Sequence, residues 1–205
     1  MRVETVKAKF LRGVFDQNTY VLTNGNEAII VDAGAEVQDI ESIIQGKRVL
    51  AVLITHLHFD HIWNIESYVQ KFDCDVYVKA GCEDILGDSE KNASTMIRKN
   101  ITHEIPKNHI KYYAQKLKLG SFDFDVYFTP GHSIDSVCLL TNRCLFSGDT
   151  LFEDGVGRTD IWGGNETELK KSLRLVESLD FDRAYAGHFG EFSKKQAIEE
   201  IEKNI

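Results

Sequence analysis

Four side chains that can bind a metal lie within six residues, directly after the apolar run Leu50–Ile54. The segment reads Thr55-His56-Leu57-His58-Phe59-Asp60-His61. His56 and His58 stand two positions apart in an extended segment and project to the same side, so both can reach one ion. Asp60 and His61 follow a bend and can serve a neighbouring ion. Packing does not explain this density, because each buried polar group would need its own partner, and the spacing disfavours four merely solvated loop residues.

Three more metal-competent side chains each follow a glycine after an apolar or small-residue run. They are His132 in Thr129-Pro130-Gly131-His132-Ser133, Asp149 in Phe146-Ser147-Gly148-Asp149-Thr150, and His188 in Ala184-Tyr185-Ala186-Gly187-His188. A glycine before a ligand lets the backbone turn sharply and lets a metal approach closely. Together with the first cluster they supply five histidines and two aspartates, enough for two hydrolytic ions with positions left for water and substrate. The two remaining histidines, His103 and His109, lack this context and are interpreted as surface residues.

The elements that must position these residues follow from apolar periodicity. Strands are predicted at Thr5–Phe10, Asn18–Leu22, Ala28–Val31, Val49–Ile54, Val76–Val78, Phe122–Phe128, Val137–Leu140, Cys144–Ser147 and Arg183–Ala186. Amphipathic helices are predicted from Val37 to Ile44, terminated by Gly46, and over Glu166–Leu179 and Ser193–Lys203. A strand, a helix and a fully apolar strand in succession indicate an α/β protein with a buried sheet covered by helices. The polar stretch 82–112 is interpreted either as a mobile lid or substrate loop, or as a plain surface excursion.

Composition narrows the class of protein. The 205 residues fit a single domain, residues 1–205, with 42% hydrophobic content to form its core. The balance of 24 basic and 32 acidic residues gives a net charge of −8, which argues against a nucleic-acid partner. Four cysteines without a pairing pattern, no signal-peptide stretch and no run of transmembrane length favour a cytoplasmic protein without a membrane partner. A small-molecule substrate and a monomer or homodimer are expected.

The pattern T-H-x-H-x-D-H, followed by G-H, G-D and G-H in this order, resembles the metallo-β-lactamase superfamily. The resemblance extends from Asn18-Thr19-Tyr20 to His188. It implies an αββα sandwich, two mixed sheets flanked by helices, with metals at one edge between the sheets. It also implies the ligand set: His56, His58 and His132 for one metal, Asp60, His61 and His188 for the other, and Asp149 bridging both. The cofactors expected are two divalent metal ions, zinc first and iron or manganese as alternatives.

The segment Gly157-Arg158-Thr159-Asp160, with Gly163-Gly164, is similar to the G-R-T-D-x-x-G-G signature of short glyoxalase II-like proteins. This implies hydrolysis of a thioester of hydroxyacylglutathione type, with Arg158 either binding a substrate carboxylate or pairing with Asp160 or Asp154. Persulfide dioxygenases, which use a single iron, share the G-R-T-D segment and are the alternative. A non-catalytic metal-binding module is a third interpretation. The chain departs from the family in three ways. It is expected to lack the helical C-terminal extension of full-length glyoxalase II, it has Arg158 and Asp160 where those enzymes place a basic residue and an aromatic, and Asp135 stands where glycine is usual.

The implied chemistry needs no side-chain nucleophile. Two neighbouring ions would share a metal-bridging hydroxide, because each lowers the pKa of bound water toward about 7. A leaving thiolate has a pKa of roughly 8.5 and needs no dedicated general acid. Asp60 is therefore assigned as a ligand that can also act as a proton shuttle. Asp32, which ends a neighbouring strand, is expected to hydrogen-bond a ligand imidazole.

Overall fold

The structure, a computed structural model, describes residues 1–10 and 15–205. The strands of the first sheet are β1 (Arg2–Phe10), β2 (Phe15–Asn24), β3 (Glu27–Val31), β4 (Arg48–Leu53), β5 (Asp75–Val78) and β6 (Ile110–Tyr112). The later strands are β7 (Lys116–Leu119), β8 (Phe122–Phe128), β9 (Val137–Thr141), β10 (Cys144–Gly148), β11 (Leu151–Phe152), β12 (Gly155–Val156), β13 (Arg183–Ala186) and β14 (Glu191–Ser193). The α-helices are α1 (Val37–Ile44), α2 (Ile65–Phe72), α3 (Glu166–Ser178) and α4 (Lys194–Asn204).

Both large sheets are mixed. The first has the order β1-β2-β3-β4-β5-β6, antiparallel between β1, β2 and β3 and parallel from β3 to β6. The second has the order β14-β13-β10-β9-β8-β7, in which only β10 and β13 are parallel. Strands β11 and β12 form a separate two-stranded ribbon. The mixed sheets predicted by the resemblance are therefore confirmed.

Three apolar clusters hold the layers together. Helices α1 and α2 pack on the outer face of the first sheet through residues such as Ile40 and Tyr68. Helices α3 and α4 cover the second sheet in the same way, through residues such as Leu173 and Ile201. The third cluster, which includes Phe146, lies between the two sheets. Helix, sheet, sheet and helix follow one another, so the αββα sandwich is confirmed.

The helix boundaries follow local capping chemistry. Helix α1 ends as predicted at Ile44, but Gln45, not Gly46, is the first residue with a left-handed backbone, at φ 51°. In α3 the side chain of Asn165 accepts a hydrogen bond from the backbone of Glu168. Ser193, predicted as helical, instead caps α4 in a capping box with Gln196.

Several elements, and the burial of two histidines, differ from the sequence predictions. Helix α2 has a signal that could have found it, because its four apolar residues, Ile65, Tyr68, Val69 and Phe72, stand at helical spacing. The stretch 82–112 contains two short 3-10 helices and β6, and it buries Asn92, whose carbonyl accepts a hydrogen bond from Phe59 in the metal-binding segment. His103 and His109 are half-buried rather than surface residues; their side chains are 8% and 18% exposed.

The path of the chain brings several strand ends to one edge. Strands β3 and β4 are parallel, so Asp32 and the His56–His61 segment follow neighbouring strand ends. Strands β8, β10 and β13 run in the same direction in the second sheet, and they lead into His132, Asp149 and His188. None of the helices in the described part of the chain combines the length and apolar composition needed to span a bilayer.

Candidate metal centre

The structure brings all seven predicted ligands together at this edge. Three groups have ligand atoms that all lie within 4.8 Å of one another: the histidine trio, the mixed trio, and a group of His56, His61 and Asp149 that joins them. The histidine trio consists of His56, His58 and His132, and the mixed trio of Asp60, His61 and His188. These are the two sets that the family resemblance implied. Burial is deep, because every member is buried except His188, which is half-buried.

Asp149 lies between the two trios. Its Oδ1 is 3.2 Å from Nε2 of His61, and its Oδ2 is 3.3 Å from Nε2 of His188. The same Oδ2 is 3.7 Å from Nε2 of His132 in the histidine trio. One carboxylate therefore contacts members of both groups, which is the position that a bridging ligand requires.

Several of these atoms approach one another without bonding. Nε2 of His56, His58 and His61 and Oδ1 of Asp149 are buried and have no hydrogen-bond partner. His61 Nε2 and Asp149 Oδ1 are only 3.2 Å apart, yet they are not aligned for a hydrogen bond. Buried polar atoms without partners cost free energy, and those of His56, His61 and Asp149 lie close together. His58 faces the same centre through its other nitrogen, because its Nδ1 is 3.0 Å from Nε2 of His132. Imidazole nitrogens and carboxylate oxygens are ligands of divalent metals, so the donor set fits metal ions.

Hydrogen bonds to the opposite ring nitrogen orient three of the ligand imidazoles. His61 Nδ1 lies 2.7 Å from Oδ2 of Asp32, as the sequence analysis expected. His132 Nδ1 donates to the backbone oxygen of Arg158 at 2.8 Å, and His188 Nδ1 donates to that of Asp16 at 2.7 Å. Protonation of Nδ1 leaves Nε2 with a lone pair directed at the centre.

Electrostatics separate the histidines into two kinds. Burial, followed by the neighbouring His61 and His58 rings, lowers the pKa of His56 well below its usual value. Burial and the adjacent His132 likewise lower the pKa of His58 to about 3. Both rings are therefore neutral at pH 7 and have lone pairs available, the form in which histidine binds a metal.

The mixed trio has the opposite character. Burial alone would lower the pKa of His61, but the carboxylates of Asp32, Asp149 and Asp60 outweigh it and raise the pKa to about 10. Asp149 and Asp60 raise the pKa of His188 to about 12 against the same effect of burial. Burial also opposes ionisation of Asp149, yet His188 and His61 hold its pKa well below the usual range. The ionised carboxylates thus attract positive charge to this point, whether from protons or from a metal cation.

Gly187 leaves the space that this packing needs. A Cβ at this position would lie 2.1 Å from Oδ1 of Asp149 and 2.5 Å from Cε1 of His61, far inside contact distance. The glycine before His188 is therefore required by the close approach of two other ligands. Its φ is not positive, so backbone conformation is not the reason.

Asp135, for which sequence analysis had no explanation, supports the segment between two ligands. Its Oδ2 accepts a hydrogen bond of 2.8 Å from the backbone N–H of Leu57, which lies between His56 and His58. The hydroxyl of Ser133 donates to its other oxygen. Asp135 is 3% exposed, and burial raises the pKa of its carboxyl. The bond ties the loop of His132 to the segment that carries two other members of the histidine trio.

A cavity of about 690 Å³ opens beside the centre. It reaches His132, Asp149 and His188, and its outer walls are formed by Lys7, Asp16, Phe152, Asp154, Gly155, Val156, Gly157, Arg158 and Phe189. Arg158 lies on the wall as expected, but its guanidinium pairs with Asp160 at 2.7 Å and 2.8 Å, and both side chains are exposed. The ion pair that was one of the two interpretations of Arg158 is therefore present, and its partner is Asp160 rather than Asp154.

The chain is similar to proteins of one family along most of its length. A profile of the metallo-β-lactamase superfamily matches residues 12–188. The probable metallo-hydrolase YqgX of Bacillus subtilis (strain 168) is 36% identical over 182 residues, 86% of each chain. The crystal structure of BLEG-1 B3 metallo-beta-lactamase has a TM-score of 0.88 at 31% identity, and that of TTHA1623 in a di-iron-bound form has 0.80 at 26%; each comparison covers 97% of both chains.

A sandwich of two mixed sheets with a buried cluster of histidines and aspartates at one edge is typical of one class of metallo-hydrolases. The chain belongs to the metallo-β-lactamase superfamily.

Gly187→Ala tests the close packing of the ligands. The added methyl group must displace Asp149 and His61, so we expect loss of most bound metal, measured by elemental analysis after purification. Gly87→Ala is the matched control, because a Cβ there meets nothing within 4 Å and its φ is not positive. Normal metal content in Gly187→Ala, with Gly87→Ala also normal, would contradict the packing argument.

Asp135→Ala tests the support of the His56–His58 segment. Removal of the acceptor frees the Leu57 N–H, so we expect metal affinity to fall by about tenfold, the lower range for residues that orient metal ligands. Asp135→Asn keeps an acceptor oxygen and should lose less. Competition with a chromophoric chelator measures both affinities. Wild-type affinity in Asp135→Ala would show that the bond does not position the ligands.

Proposed function

We propose that the protein is a two-metal hydrolase that cleaves thioesters of hydroxyacylglutathione type. The observation that carries the two-metal part is the position of Asp149, one oxygen of which is beside His61 while the other is beside both His188 and His132. A carboxylate shared by two buried ligand groups suits two ions a short distance apart. We propose zinc as the metal, with iron or manganese as alternatives that metal analysis distinguishes.

The residues of the centre would bind the two ions in separate groups. The histidine trio would hold one ion, the mixed trio the other, and Asp149 would serve both. Two such ions supply a nucleophilic water of lowered pKa and stabilise negative charge on a carbonyl oxygen. Asp60 Oδ2 lies 3.2 Å from Nε2 of His188, so it is a ligand that can also pass a proton within the mixed trio.

The cavity beside the centre supports a thioester substrate. Among the described residues that line it, none is a serine, threonine or cysteine, so no hydroxyl or thiol nucleophile faces the substrate. Phe152, Val156 and Phe189 give it apolar walls for an acyl chain. The cavity volume of about 690 Å³ is that of a site for a small molecule, and we propose such a molecule, not a nucleic acid, as the partner. A thiolate leaves without a general acid, so the reaction would not require one from the cavity wall.

Other activities remain candidates. The 31% identity to BLEG-1 makes β-lactam hydrolysis the second candidate. Oxidation of a persulfide at a single iron, the alternative from the G-R-T-D segment, would need only one ion. A non-catalytic metal-binding module would keep the metal without turnover.

One sample can separate these activities. We expect protein purified without added metal to contain about two equivalents of divalent metal and to hydrolyse a hydroxyacyl thioester of glutathione faster than a β-lactam. His61→Ala should lose about one equivalent and most of the hydrolysis, because its Nε2 is directed at the second position. Oxygen uptake with a persulfide that survives in His61→Ala, together with one iron, would instead identify the dioxygenase. Full metal with no turnover of any substrate would favour the binding module.

Arg158→Ala tests binding of a substrate carboxylate. The guanidinium lies on the cavity wall away from the metal ligands, so its contact should be equally strong in ground and transition states. We expect KM for an acidic thioester to rise about threefold with kcat unchanged, a size typical of an exposed charge pair. Asp160→Asn is the control, because it releases the guanidinium from its partner without removing it and should leave KM unchanged or lower it. An unchanged KM in Arg158→Ala would reduce Arg158 to the partner of Asp160.

A further inference from the structure

Lys7 lies on the wall of two neighbouring cavities. One is the cavity beside the metal centre. The other, of about 550 Å³, is lined by Lys7, Ala8, Lys9, Gly34, Glu36, Asp39, Trp63, Ile97 and Lys99. We call this second cavity the lysine groove. A ligand that is held at the metals and extends past Lys7 would enter it.

The register of the first sheet explains why Lys7 lies beside the centre. Lys7 on β1 is paired with Asn18 on β2. The side chain of Asn18 donates to the backbone oxygens of Ala186 and Phe189, which stand on either side of His188 in the chain. Lys7 is thereby fixed next to the loop that carries one member of the mixed trio.

The lysines of the groove have no acidic partner within the described part of the chain. Among the residues that the structure describes, no carboxylate lies within ion-pair distance of Lys7, Lys9 or Lys99. Lys99 is placed over the ring of Trp63, 5.2 Å from its centroid. By contrast, Arg158 on the wall of the first cavity is already paired with Asp160. An anion therefore meets unpaired charge at Lys7, whereas at Arg158 it competes with a carboxylate.

We propose that the lysine groove binds an acidic end of the thiol leaving group, with Lys7 as the residue that selects it. This inference rests on the proposed thioester hydrolysis and names the charge that the substrate must carry. A carboxylate of single charge is the group that matches, because the three lysines of the groove and its two acids, Glu36 and Asp39, leave an excess of one positive charge. Lys9 and Lys99 line the groove but, unlike Lys7, not the cavity beside the metal centre, so we expect them to contact only the longer leaving groups.

Acetyl thioesters with matched leaving groups test the proposal. Mercaptohexanoate and mercaptohexanol have the same length and differ in charge, mercaptopropionate is a shorter acid, and mercaptohexyl phosphate carries the higher charge. We expect wild-type protein to have its lowest KM for the mercaptohexanoate ester. Lys7→Ala should raise KM for both carboxylates about three- to fivefold, without change for the neutral ester or in kcat. Lys99→Ala should raise KM only for the longer acid. Lys7→Arg, which keeps the positive charge, should have the KM of the wild type.

Lys116→Ala is the matched control, because Lys116 is an exposed lysine that pairs with Asp125 on β8, outside both cavities. Equal KM values for the acidic and the neutral ester in the wild type would overturn the proposal. A Lys7→Ala variant that raises KM equally for the acidic and the neutral ester would also overturn it. A lower KM for the phosphate ester than for the carboxylate would overturn the choice of a singly charged group.

Failure of thioester hydrolysis itself is distinguished by a binding measurement. The thioether analogues of mercaptohexanoate and mercaptohexanol cannot be hydrolysed, and calorimetry gives their affinities for the metal-loaded protein directly. If no thioester is turned over but the acidic thioether binds more tightly than the neutral one, and Lys7→Ala abolishes the difference, the groove stands and the reaction is wrong. Equal affinities of the two thioethers would reject the groove whatever the reaction.

Discussion

Lone pairs that have no partner inside the protein are the constraint on which the rest of this structure depends. Ring nitrogens of His56 and His61 and one oxygen of Asp149 are buried, close to one another and without a hydrogen-bond partner. Burial of unsatisfied polar atoms costs free energy, which a metal cation bound between them would recover. The strand ends, the glycines and the depth of burial all serve to hold these atoms in place.

Orientation of the ligands depends on bonds at a distance from the metals. Carboxylate and carbonyl oxygens bind the far side of three imidazoles, so each ring presents a defined nitrogen to the centre. Asp135 does the same for backbone, since it fixes Leu57 between two ligands. The two halves of the site are also tied across the sandwich, because His188 on the second sheet bonds to Asp16 at the start of β2 in the first. The site is therefore as rigid as the packing of the two sheets.

Charge is distributed unevenly over the chain. The net charge of −8 would slow the approach of an acidic substrate, since long-range repulsion acts on any anion. Beside the centre, however, Lys7, Lys9 and Lys99 lie in one groove without carboxylate partners among the described residues. A local cationic surface of this kind counteracts the repulsion at short range, where salt screens it least. In the proposed function, metal binding and substrate selection therefore involve separate groups, the first buried and the second exposed.

The sequence by itself determined an α/β class and the seven candidate ligands, because apolar periodicity and the spacing of histidine and aspartate beside glycine are local signals; the αββα arrangement followed from the family resemblance. The same kind of signal was present in α2 and was overlooked. Only the tertiary structure showed that the backbone oxygens of Asp16 and Arg158 bond to ligand imidazoles, because no residue type marks a backbone oxygen as a partner. It also decided that Asp135 bonds to Leu57 and that Lys7 lies opposite Asn18, because no residue type marks these partners in the sequence. Contacts of this kind depend on how the two sheets pack and on strand register, and neither is encoded in any short stretch of chain.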